Sequence, residues 1–207
     1  MEKVAAIILA AGPSSRLGRP KQLVEVDGQS LIERAFDTAN GAGCEPVLVV
    51  TGASDQQVVS RIRKCGAKIV RNLDWKQGLG SSIRAGIERL LKSDPQISAV
   101  LLMVCDQPLV EAQHLRHLVD VRRRTTKSIV CSRYAETAGV PAVFGREFFG
   151  ELMQLGEHGA KQLLLSHPDQ SAQISLPEAE LDIDEEADIE RLESRKRGLI
   201  FTRGKQP

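Results

Sequence analysis

A three-layer α/β/α sandwich around a mostly parallel sheet is the fold class this 207-residue sequence predicts, on two observations. Short apolar runs alternate with stretches of helical periodicity, the pattern of repeated strand–helix–strand units. The runs at 4–9, 46–50, 67–70, 99–104 and 128–131 are also continuously apolar rather than alternating, as strands buried on both faces require. The length suits one domain, placed at 1–194.

The elements follow in order. The first strand, 4–9, ends in a Gly–Pro break at Gly12 and Pro13. A helix over 30–40 places Leu31, Ile32, Ala35 and Phe36 on one stripe, with Ser30 as N-cap and Gly41 and Gly43 as stop signals. Further helices are expected at 54–64, with Ser54 as cap, and at 81–92 and 112–124. The last third departs from simple alternation. It reads as a short strand at 142–144, a helix around 146–155, a helical turn at 161–165, a strand at 172–176 and an acidic helix over 185–193. Residues 195–207 form a basic, Gly-containing tail without periodicity, expected to be frayed.

Bulk properties exclude several classes. Lys and Arg number 28 against 27 Asp and Glu, so no global field points to nucleic acid or to a membrane surface. Aromatic residues make up 3%, too few for a base-stacking nucleic-acid platform. Cys44, Cys65, Cys105 and Cys131 are widely spaced, with no Cys-x-x-Cys, and read as reduced thiols of a cytoplasmic protein. The apolar N-terminus is too short and too soon followed by basic residues for a signal peptide, and no run is long enough to cross a bilayer.

Ligands of open α/β sheets bind beyond the carboxyl ends of the strands. The residues after each strand therefore carry the chemistry. After the first strand comes Gly12-Pro13-Ser14-Ser15-Arg16, followed by Arg19-Pro20-Lys21. Backbone N–H groups and hydroxyls over 12–15, with the cations Arg16 and Lys21, suit a polyphosphate. The stretch is neither a P-loop nor a dinucleotide fingerprint, since it lacks both the Gly-Lys-Ser/Thr ending and the Gly-x-Gly-x-x-Gly spacing. After the fourth strand comes Cys105-Asp106-Gln107-Pro108, where Asp106 is a candidate oxygen ligand for magnesium or simply a helix cap. Asp182 and Asp184 sit two apart, on one face of an extended segment, and offer a second ligand; either also suits the cap of the acidic helix. Gly78, Gly80, Ser81 and Ser82 precede a helix whose small residues give a ligand access to free N–H groups.

The run Leu9-Ala10-Ala11-Gly12-x-Ser14-x-Arg16-Leu17-Gly18-x-Pro20-Lys21 resembles the signature of nucleotidyltransferases related to the molybdopterin guanylyl- and cytidylyltransferases, most closely the molybdenum cofactor cytidylyltransferases. The likeness extends to about Leu192. It implies a Rossmann-like sheet of the nucleotide-diphospho-sugar transferase type. It implies nucleotide binding by Leu9, Ala10, Ala11, Gly12, Ser14, Ser15, Arg16 and Lys21, and by Gly78, Gly80, Ser81, Ser82 and Asp106. Arg16, Lys21 and Asp106 are the implied catalytic residues. Mg²⁺, with Mn²⁺ as an alternative, is the implied cofactor, held by Asp106 and Asp184. The implied partners are an NTP, molybdopterin or molybdenum cofactor as acceptor, and a recipient molybdenum hydroxylase. Related guanylyl enzymes tend to carry Ala-Gly-Gly where this chain has Ala10-Ala11-Gly12, so the Ala11 methyl favours CTP. Where the resemblance has Asp, this chain has Glu157.

The expected reaction is attack of an acceptor phosphate on the α-phosphorus of the NTP, with pyrophosphate leaving. Guanylyl transfer, a sugar- or polyol-phosphate acceptor, and a non-catalytic molybdenum cofactor carrier are the rival readings.

Overall fold

The computed structural model describes residues 3–203. The elements are β1 (Val4–Ala10), β2 (Glu25–Val26), β3 (Gln29–Ser30), α1 (Leu31–Gly41), β4 (Val47–Thr51), α2 (Asp55–Ile62), β5 (Lys68–Arg71) and α3 (Leu79–Ser93). Then follow β6 (Ala99–Val104), α4 (Ala112–Arg124), β7 (Ile129–Tyr134), β8 (Thr137–Gly145), α5 (Phe149–Met153), α6 (Lys161–Ser166), β9 (Ser171–Ser175) and α7 (Glu186–Arg203).

Seven strands form one sheet in the order β5-β4-β1-β6-β8-β7-β9. Only β8 runs against its neighbours, pairing antiparallel with both β6 and β7. The sheet is mostly parallel and flanked by helices, as the sequence predicts. Strand β1 alternates between two cores. Val4, Ala6, Ile8 and Ala10 face α1, α2 and α4, while Ala5, Ile7 and Leu9 face α3, α5 and α6. Both faces are apolar because both are covered, which is why the run reads as continuous. A third, smaller core joins Leu17, Val24, Val26 and Leu31 to Leu181, Ile183 and Leu192. It clamps the loop after β1 against the chain's last helix.

Helix α1 starts as expected: Ser30 and Glu33 form a reciprocal capping box. Ser54 makes no side-chain cap to α2. The expected strand 142–144 is the end of the longer β8, which forms a hairpin with β7 through Ala135 and Glu136, both at positive φ. Gly139 and Pro141 lie within β8, and β7 takes up the irregularity with a register shift at Cys131/Ser132. The small β2–β3 hairpin was not expected; the Asp27-Gly28 pair at its tip is the signal for it. The helix expected around 146–155 divides into a 3₁₀ turn (Arg146–Phe148) and α5. Helix α7 continues through Arg203 where a frayed tail was expected from Arg195, and the end of that tail lies outside the described residues. Among the described residues no helix is long and apolar enough to cross a membrane. The four cysteines are unpaired thiols.

Candidate active site

Strands β1 and β6 are adjacent and parallel, with Leu9 opposite Val104. Their carboxyl ends therefore release two loops side by side, bringing Ala11 and Gly12 next to Cys105 and Asp106. The space between is a cleft of about 260 Å³. Leu9, Ala10, Ala11, Gly12, Lys21, Gly78, Ser82 and Asp106 line it, all of them expected from the sequence; Gln22, Trp75 and Leu79 line it as well. A hollow at the amino end of β4, lined by Cys44, Glu45 and Lys68, gathers no comparable set.

The loop after β1 is held from within. Gln22, 1% exposed, donates through Nε2 to the carbonyls of Ala10 (2.9 Å) and Gly12 (3.0 Å). Ser14, at φ 53°, accepts the Lys21 N–H at 2.9 Å. This folds the loop so that Lys21 Nζ reaches two carboxylates, Asp106 Oδ2 at 2.5 Å and Asp184 Oδ1 at 2.6 Å. Arg16 closes the array on the outer side, 2.7 Å from Asp184 Oδ2. Ser15 and Arg16 are exposed.

Asp184 arrives from the far end of the chain. The Ile183 N–H donates to the Asp106 carbonyl (2.9 Å), while Leu181 and Ile183 are buried in the third core. Buried Asp188 then accepts from the N–H groups of Asp184 (3.0 Å) and Glu185 (2.9 Å), capping the start of α7. Asp184 is thus the second carboxylate joined to Asp106 through Lys21, while Asp182 is exposed.

Charge and burial compete here. Burial alone would lower the Lys21 pKa, but the Asp106 and Asp184 carboxylates outweigh it and hold the ammonium above its ordinary range. Burial would raise Asp184, but Lys21 and Arg16 outweigh it and hold this carboxyl below the usual range. Asp182 is raised, by the partial loss of water around its carboxyl first and then by the charges of Asp106 and Asp184. The buried Cys105 thiol is pushed above its normal range, by burial first and then by Asp106.

The Gly78–Ser82 segment acts differently from the sequence expectation. The N–H groups of Leu79 and Gly80 are already taken by the carbonyls of Glu157 (3.2 Å) and Gly156 (3.1 Å). A Cβ on Gly80 would lie 2.1 Å from the Leu155 oxygen, so this glycine seats the 155–157 loop on α3. Ser81 is buried, donating to the carbonyls of Asp74 and Gly78 and accepting from Asn72. Gly80 and Ser81 therefore make packing contacts and do not line the cleft, whereas Gly78 and Ser82 do. His114 accepts the Glu111 N–H through Nδ1 at the start of α4.

A divalent cation fits this donor set. Asp106 is 8% exposed and its Oδ1 has no hydrogen-bond partner, a hard oxygen with an open coordination position at the cleft wall. Among the described residues no group of three or more His, Cys, Asp or Glu has the arrangement to hold a metal ion by itself. Asp106 and Asp184 are the two carboxylates that meet on Lys21 at this wall.

Sequence reasoning missed Gln22, Trp75 and Asp188. Nothing in the local sequence marks Gln22. Asp188 had a signal, an acidic residue in the first turn of an acidic helix.

A mostly parallel sheet with paired carboxylates and cations at its carboxyl edge defines a nucleotidyltransferase-type protein. The chain belongs to the family described as MobA-like NTP transferase domain, which matches residues 6–171. Among solved structures it is similar to Rv0371c from Mycobacterium tuberculosis H37Rv. The identity is 30% and the TM-score 0.79, over 92% of this chain and 97% of that one. The same protein in complex with manganese gives 29% identity and a TM-score of 0.76, over 92% and 97%. Molybdopterin-guanine dinucleotide biosynthesis protein A from Archaeoglobus fulgidus shares the fold, at 17% identity and a TM-score of 0.65 over 94% and 99%. Of curated proteins, nicotine blue oxidoreductase from Paenarthrobacter nicotinovorans is 44% identical over 84 residues, 40% of this chain and 41% of the relative. The bifunctional protein GlmU from Bifidobacterium animalis subsp. lactis is 30% identical over 126 residues, 59% of this chain and 27% of the relative. The chain thus spans well under half the length of these curated relatives.

Proposed function

We propose that the protein is a cytoplasmic, Mg²⁺- or Mn²⁺-dependent cytidylyltransferase that transfers CMP from CTP to the phosphate of molybdopterin or molybdenum cofactor, for delivery to a molybdenum hydroxylase. The observation that carries the transferase chemistry is the array Arg16–Asp184–Lys21–Asp106, of which Lys21 and Asp106 line the cleft. A pure carrier has no use for such a set.

The acceptor phosphate oxygen forms a bond to the α-phosphorus, the bond from that phosphorus to the bridging oxygen breaks, and pyrophosphate departs with the electron pair. The nucleophile is already an anion, so no general base is needed. Arg16 and Lys21 bind the triphosphate and stabilise charge on the departing pyrophosphate. Asp106 and Asp184 would hold the metal, which when bound supplies positive charge and orientation to the phosphates. The Gln22 hydrogen bonds keep the Ala10 and Gly12 carbonyls fixed, so the loop meets the nucleotide preorganised. Ala11, 6% exposed, narrows the cleft where a base would lie and supports the smaller pyrimidine.

The test is pyrophosphate release from each of the four NTPs, with molybdenum cofactor, sugar phosphates or polyol phosphates as acceptor. Release with CTP and the cofactor supports the reading. Release with GTP, or only with a sugar phosphate, replaces its finer part. Redox turnover without pyrophosphate would replace all of it.

A further inference from the structure

We propose that Trp75 is the surface on which the nucleobase stacks, and that Gly52 sets the width of that subsite by letting Trp75 and Ala11 close on one another. The inference rests on the nucleotidyltransferase reading and deepens it.

The cleft joins two chemistries. Lys21 and Asp106, paired with each other, put charge on its lining. Ala11 and Trp75, which converge on Gly52, add apolar surface with an aromatic ring. A nucleotide has the same two parts, phosphates and a flat heteroaromatic ring. With the phosphates on Lys21, the apolar surface at Trp75 is left for the base.

Trp75 is built into place. It opens a 3₁₀ turn (Trp75–Gln77) anchored by buried Asn72. Asn72 accepts the Asp74 N–H at 2.9 Å and donates to the hydroxyls of Ser81 (2.8 Å) and Ser82 (3.0 Å) on α3. A loop that merely covered the surface would not need a buried network to fix one half-exposed tryptophan.

Gly52 follows β4 and sits behind this wall. A Cβ there would lie 2.7 Å from the Ala11 oxygen, 2.8 Å from the Ala11 Cβ and 2.8 Å from the Trp75 Cβ. Its neighbour Ala53 donates its N–H to the Ala11 oxygen at 3.1 Å. The two walls of the base end therefore meet at a residue without a side chain. Any side chain at position 52 must push Ala11 and Trp75 apart and widen the gap for a larger base. Gly52 is thus a positioning residue, acting through Ala11 and Trp75.

Trp75 is the chain's single tryptophan, so intrinsic emission reports this subsite alone. The experiment titrates the full chain, with Mg²⁺, against CTP and against inorganic tripolyphosphate, which carries the phosphates without a base. Binding is followed in parallel by equilibrium dialysis with labelled CTP. CTP is expected to quench Trp75 emission, whereas tripolyphosphate displaces CTP and leaves the emission of the free protein. Trp75→Ala should weaken CTP about 10- to 100-fold, the scale of one base–aromatic stack, with tripolyphosphate affinity unchanged. Gly52→Ala should narrow the CTP:GTP affinity ratio about 10-fold, again with tripolyphosphate unchanged. Trp75→Phe, which keeps a ring, should restore most of the affinity and covers the case in which Gly52→Ala does not fold. CTP binding with unaltered emission, or an equal response to tripolyphosphate, overturns the inference and leaves the transferase reading standing. Failure of the wild-type chain to bind any NTP overturns both.

Discussion

Lys21→Met removes the ammonium that joins the two carboxylates while keeping an unbranched apolar stem. In the native site the side chains of Lys21, Asp106 and Asp184 are 18%, 11% and 27% exposed. Asp106 has no second partner, since its Oδ1 is already unpaired. The variant therefore leaves a largely buried carboxylate with both oxygens uncompensated, whereas Asp184 keeps Arg16. Breaking a buried pair from one side costs about 3–5 kcal/mol. The residual exposure puts this pair at the lower end, about 3 kcal/mol. For a domain of this size that corresponds to a fall in Tm of about 6–12 °C. The same reasoning makes a second, less obvious prediction. Without the ammonium the carboxylates lack their resident cation, so millimolar manganese should raise the Tm of Lys21→Met more than that of the wild type, because a ligand stabilises by its affinity for the native state. Thermal unfolding of both chains with and without manganese measures both effects. A variant that melts within a degree of wild type, or gains no more from the metal, would refute the account of Lys21 as the cation that neutralises these carboxylates. Nucleotide turnover should fall in the variant in either case, so the melting data carry the argument.

Three further outcomes are expected. Ala11→Gly should relax selection toward GTP in a two-nucleotide competition, and an unchanged CTP:GTP ratio would remove Ala11 from the specificity argument. Asp188→Ala deletes the acceptor for the Asp184 and Glu185 N–H groups. It should cost about 1–2 kcal/mol in urea unfolding and lower pyrophosphate release by loosening Asp184, whereas loss of stability at full turnover would separate the cap from the site. Glu33 would be raised by burial, but hydrogen bonds from Ser30 and Arg61 outweigh this and hold it below the ordinary carboxylate range. A depressed carboxyl stabilises the fold above its unfolded pKa and loses that contribution as pH falls through its folded value. Glu33→Gln should therefore be less stable than wild type by about 1 kcal/mol at neutral pH, with the gap closing in acid; a gap independent of pH would assign the effect to packing instead.

The strands that build the site were legible because their physics is local. Val4–Ala10 and Ala99–Val104 are apolar throughout, and only a strand covered on both faces tolerates that. Ser30 with Glu33 announced the start of α1 in the same local way. The β7–β8 hairpin was harder to see. Gly139 and Pro141 break the run that would have marked β8, and the strand is held by partners on both sides rather than by its own propensity. Gly80 and Ser81 looked like ligand contacts because small residues at a helix start have two uses. The packing partner of Gly80 is the 155–157 loop, some 75 residues further on, and the sequence carries no trace of that contact.

The sequence by itself determined the chemistry available: cations and hydroxyls after one buried strand, a carboxylate after another, and no nucleophile pair. Tertiary structure decided which of these groups meet. The parallel register of β1 and β6 puts Lys21 against Asp106. The third core and the Ile183 hydrogen bond then bring Asp184, rather than Asp182, onto the same ammonium. The choice follows from side-chain alternation: burying Leu181 and Ile183 fixes the segment, and the Asp188 cap holds Asp184 against the β1 loop. Contacts between residues 163 positions apart leave no periodicity to read. They arise only when separate apolar stripes are buried together, and that burial is a property of the folded chain.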